Sequence, residues 1–95
     1  MGMDQSGRRD DVIILYGTEW CSDCIRSRRF LDRKCVPYRW VDIDRDAEAG
    51  AFVERANRGY RSVPTIVFPD GGILVEPSDA ELAASLGTEE DPSQD

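Results

Sequence analysis

Cys21 and Cys24 stand three residues apart, directly behind the apolar run Val12-Ile13-Ile14-Leu15-Tyr16 and directly ahead of a stretch that can be helical. The run is short, continuous and β-branched, which reads as a buried strand over residues 11–16. Gly17-Thr18-Glu19-Trp20 is the connecting loop. A helix from Ser22 or Cys24 to about Lys34 follows, and Pro37 excludes more helix before a second strand over residues 38–43. Two strands flanking one helix are expected to be parallel, joined by a right-handed crossover.

The remaining pattern extends this start. Asp46 is placed to cap a short helix from Ala47 to about Asn57, with Ala49, Phe52, Val53 and Ala56 on its apolar face and Gly59 at its end. Val63-Pro64 leads into a third strand over residues 65–68. Pro69-Asp70-Gly71-Gly72 turns the chain, and residues 73–75 pair back as a fourth strand. Ser78 and Glu81 form a capping box that opens a last helix holding Leu82 and Leu86, closed by Gly87. The order is β-α-β-α-β-β-α: an α/β sandwich of three layers around a four-stranded mixed sheet, with two helices on one face and one on the other. In the first helix Ile25, Leu31 and Cys35 are expected to line the inner side, with Phe30 near the edge and the arginines outside. Residues 1–10 are expected to be a flexible segment, 11–87 the folded domain and 88–95 a disordered acidic tail carrying Glu89, Glu90, Asp91 and Asp95.

Composition removes several function classes. The net charge is −7, which disfavours nucleic acid as a partner. No apolar run approaches the ~20 residues of a membrane span. Three cysteines are too few and too uneven for a secreted disulfide scaffold, and with no histidine no metal site is expected. A reducing cytoplasm is the expected compartment.

The chemistry therefore rests on the two close cysteines. Helix amides and the helix dipole favour a thiolate at Cys21, the form that attacks disulfides, so Cys21 is expected to be the exposed, acidified thiol. Cys24, one turn in, is expected to be more buried and to act as the resolving thiol. Asp23 and Glu19 oppose a neighbouring thiolate and should moderate its acidity. Cys35 lies fourteen helical residues beyond Cys21, about 21 Å at ~1.5 Å each, too far for a disulfide with it. It is expected to be a buried, inert thiol. Pro64 opens a strand in a chain with a dithiol. If its bond is cis, Val63 turns its backbone groups toward the cysteines, where an extended substrate can pair with them. Arg61 can bind a carboxylate of a small thiol, and amides at Ser78 and Asp79 another. A solvated arginine and an ordinary helix cap account for the same residues. Trp20 is either a wall of the substrate groove or a packed neighbour of the motif.

With these residues in view, the chain resembles the glutaredoxin-like proteins of the thioredoxin superfamily over residues 11 to about 86. The resemblance rests on the apolar first strand, Trp20-Cys21-x-x-Cys24, Val41-Asp42-Ile43, Ser62-Val63-Pro64-Thr65, Asp70-Gly71-Gly72 and Pro77-Ser78-Asp79. Asn57-Arg58-Gly59-Tyr60-Arg61 and Pro77-Ser78 are most similar to the actinobacterial mycoredoxins, which reduce mixed disulfides between proteins and mycothiol. The resemblance implies a thioredoxin-like fold, Cys21 as nucleophile, Cys24 as resolving thiol and a cis-proline at position 64. It implies no bound cofactor, with mycothiol or glutathione as co-substrate. The implied partners are disulfide-containing proteins and a flavoprotein disulfide reductase, the chain itself being a monomer. Thr18-Glu19 stands where glutaredoxins place a lysine, and Pro77-Ser78 where they place a Gly-Gly pair. Other roles open to such a chain are electron donor to one enzyme such as ribonucleotide reductase, iron–sulfur cluster carrier, or redox-inactive adaptor.

Overall fold

The computed structural model of the chain describes residues 12–88. The expected N-terminal segment and, beyond Thr88, the acidic tail lie outside them. Strand β1 runs Ile13–Gly17, helix α1 Ser22–Arg33, β2 Tyr38–Asp42, α2 Ala47–Ala56, β3 Thr65–Val67, β4 Ile73–Val75 and α3 Asp79–Leu86. The sheet order is β2-β1-β3-β4. β1 and β2 are parallel, while β1–β3 and β3–β4 are antiparallel. This is a thioredoxin-like α/β fold.

The alternation of β1 sorts the core into two halves. Ile13 and Leu15 point to one face, where they join Phe30 and Leu31 of α1, Ile66 of β3, and Leu82 and Ala83 of α3. Tyr16 points to the other, where α2 supplies Ala49 and Val53 and the β2 end supplies Ile43. Tyr16 and Phe52 meet there with ring centroids 5.0 Å apart. α1 and α3 thus cover one face and α2 the other.

Helix α1 is turned differently from the expected phase. Cys24, Ser27, Phe30 and Leu31 are its buried residues, whereas Ile25 is 39% exposed. Steps of three, six and seven from Cys24 select one side of a helix, and Ile25 is rotated off it by one residue, roughly 100°. Phe30 is therefore central rather than marginal. Cys35 is exposed, not buried. It sits past the helix end at φ 58, with its own amide on the Asp32 carbonyl and the Val36 amide on the Leu31 carbonyl. Those two bonds close α1 by a Schellman turn whose left-handed position falls on Cys35. At the end of α2 the same position falls on Arg58 (φ 58), one residue before the expected Gly59. The caps at Asp46, Ser78–Glu81 and Gly87 are where the sequence reading puts them.

Candidate functional site

Cys21 is the N-cap of α1. Its backbone is extended, and its Sγ accepts the Cys24 amide hydrogen at 3.1 Å. That duty draws the sulfur inward: Cys21 is 9% exposed, less open than expected. Sγ also lies 3.9 Å from the Val63 carbonyl oxygen, on the loop whose Val63–Pro64 bond is cis. Helix α1 and the loop before β3 therefore meet at one sulfur.

Cys24 is fully buried. Burial first, then hydrogen bonding with Cys21, pushes its thiol up to about 12, although a hydrogen bond with the Thr18 backbone pulls the other way. The space for its sulfur is made by Gly17. Ile13, Leu15 and Gly17 are alternate residues of β1 on one face. A Cβ on Gly17 would stand 2.5 Å from the Cys24 Sγ and 2.9 Å from Trp40 Cζ3. The sequence pattern alone reads Gly17 as part of a loop. Its signal was a glycine two residues beyond a buried Leu, where close approach is one of the few reasons for it.

Trp20 is 73% exposed and is no packed neighbour of the motif. Its indole Nε1–H donates to Asp44 Oδ2 at 3.0 Å. Arg61 Nη2 donates to the other oxygen of the same carboxylate at 2.9 Å. Asp44, which in the sequence is only one acid of a polar turn, thus joins the residue before Cys21 to the segment before Val63. Asp79 accepts Arg26 Nη1 at 2.7 Å, and Arg26 also reaches the Pro77 carbonyl and Asp23. Ser78 and Glu81 exchange side-chain and backbone hydrogen bonds with each other. The Val63 carbonyl, next to the cis bond to Pro64, is brought to Cys21, whereas Trp20, Arg61, Ser78 and Asp79 already have partners elsewhere in the chain. Beside Asp79, a depression of about 370 Å³ is also lined by Ser22, Ile25, Arg26, Arg29 and Arg33.

A buried thiol one turn behind a thiol at a helix start can form a disulfide and open it again. Comparison with known proteins agrees with this chemistry. The glutaredoxin family model matches residues 13–73. A glutaredoxin-type protein of Mycobacterium tuberculosis is 39% identical over 75 residues, 79% of this chain and 89% of its own length. Mycoredoxin 1 of Corynebacterium glutamicum is 36% identical over 74 residues, 78% of this chain and 91% of its own length. The glutaredoxin of Archaeoglobus fulgidus shares the fold, with a TM-score of 0.67 at 24% identity over 85% of this chain and 91% of its own. The chain belongs to the glutaredoxin family, and it is a thiol-disulfide oxidoreductase.

Proposed function

We propose that the protein reduces mixed disulfides between proteins and a low-molecular-weight thiol of the mycothiol or glutathione type. Cys21 is the attacking sulfur and Cys24 the resolving one. The observation that carries this reading is the asymmetry of the pair. Cys21 Sγ holds a helix-start amide, while burial pushes the Cys24 thiol up to about 12, so that it is neutral at physiological pH.

The Cys21 thiolate attacks one sulfur of the mixed disulfide. A new S–S bond forms to the small thiol, the old one breaks, and the target leaves as a thiolate that takes up a proton. A second small thiol then attacks the sulfur of the bound one, which frees the Cys21 thiolate and leaves a disulfide of two small thiols, or Cys24 attacks the Cys21 sulfur. In the Cys24 branch the small thiol departs with the Cys24 proton, and a Cys21–Cys24 disulfide remains. Two electrons have passed from the dithiol to the substrate. A small thiol or a flavoprotein reductase returns them. The Val63 backbone, beside the reacting sulfur, is suited to pair with an extended substrate segment. In this reading the protein acts as a monomer in the cytoplasm.

Turnover of a protein mixed disulfide by two variants tests the assignment. Cys21→Ser is expected to lose all activity. Cys24→Ser should retain activity when a small thiol is present and lose it when only a reductase supplies electrons. Activity retained in Cys21→Ser would remove Cys21 from its role.

A further inference from the structure

Arg61 is the cation best placed by sequence to hold a carboxylate of a small thiol, yet its charge is already matched. Nη2 donates to Asp44 at 2.9 Å, and Nη1 lies 4.0 Å from Glu54 Oε2. Gly50 admits this guanidinium: a Cβ there would stand 3.0 Å from Nη1. Asp44 is fixed in turn by the indole of Trp20 at 3.0 Å and by its own amide on Asp42 Oδ1 at 2.9 Å. By the start of α3, Arg26 is bound by Asp79 at 2.7 Å and by Asp23 at 3.4 Å. The capping box occupies the Ser78 and Glu81 amides. Neither Arg61 nor Arg26 therefore offers an unshared charge to an incoming anion.

We infer that Asp44 is a specificity-determining residue: by occupying Arg61 it disfavours thiols that carry carboxylates and favours uncharged, hydroxyl-rich ones. The inference rests on the proposed exchange with small thiols and adds the feature that discriminates among them. A carboxylate approaching Arg61 must either displace Asp44 or share one guanidinium with it, and both cost Coulomb energy. Sugar and inositol hydroxyls carry no such penalty. They can donate to Asp44, Asp79 or the Val63 carbonyl without losing a charge-assisted bond. Asp44 and Arg61 are each nearly half exposed, at 44% and 46%, so solvent screens the effect to a modest size.

The test uses two mixed disulfides of one chromogenic reporter thiol, one made with glutathione and one with mycothiol. Each is reacted with the reduced full-length protein, and release of the reporter is followed by stopped-flow absorbance. Asp44→Asn keeps an acceptor for Trp20 and removes the charge. The ratio of the two second-order rate constants should move toward glutathione by about three- to tenfold. Asp44→Asn/Arg61→Gln should return the ratio to the wild-type side. A ratio unchanged in Asp44→Asn, as from a purely structural role that alters both rates alike, overturns the assignment. A wild-type protein that releases reporter from neither disulfide overturns the thiol-exchange reading together with it.

Discussion

Gly17 occupies the third inward position of β1, after Ile13 and Leu15, and its missing side chain is where the Cys24 sulfur lies. Gly17→Ala is therefore expected to destabilise by about 1–3 kcal/mol, as overpacking does. The alanine would otherwise suit a strand better than glycine, so the sign of the change is itself diagnostic. Gly17→Ala/Cys24→Ala should recover part of the loss in urea denaturation, the remainder being the contact with Trp40. If the double variant is no more stable than additivity predicts, Gly17 is not there for the sulfur. At this scale Cys21 and Cys24 were legible in the sequence, because their spacing alone brings one sulfur to the other's helix turn. Gly17 and Asp44 were not. Each is defined by a group from a distant element: the Cys24 sulfur in one case, Trp20 and Arg61 in the other.

Among the elements, α1 shows where periodicity runs out. Its existence, its start at the cysteines and its end before Pro37 could all be read. Its rotation could not, because Ile25 and Phe30 are both apolar and only the packed sheet decides between them. Tertiary packing chose Phe30, which fills the space between β1 and α3, and left Ile25 outside. The end of α1 carries a cost. Cys35 takes a left-handed conformation that glycine adopts without penalty. Cys35→Gly should stabilise the protein by about 0.5–1 kcal/mol, read as a higher urea midpoint at an unchanged slope. Disulfide reductase activity should persist, since Cys35 lies at the far end of the helix from the motif. A loss of activity would give Cys35 a part in the chemistry that its position does not suggest.

For the molecule as a whole, the buried thiol ties stability to alkaline pH. The Cys24 value is raised from 9.0 to about 12 in the fold. Its neutral form is favoured by folding, so this contribution is complete below the unfolded value and disappears as pH rises toward about 12. Tyr16 is raised as well, chiefly by burial, and acts with the same sign. The reduced protein should therefore lose stability progressively from about pH 9 upward. Cys24→Ser should flatten the early part of that decline, as urea midpoints measured from pH 7 to 11 would show. An equally steep decline in the variant would mean that Cys24 does not govern it. The three layers, the parallel first pair and the final hairpin were readable from the β-α-β-α-β-β-α sequence, whereas the placing of β3 against β1 shows only in the folded sheet. The cap that Cys21 places on α1 has one more consequence. Closing the disulfide weakens that sulfur as an acceptor, so the dithiol form alone enjoys the full cap. By a thermodynamic cycle, the cap's worth reappears as reducing or oxidising power, at about 30 mV for each 1.4 kcal/mol. A firmer first turn of α1 favours the dithiol and makes the couple a stronger oxidant, so a helix end serves as the protein's potentiometer.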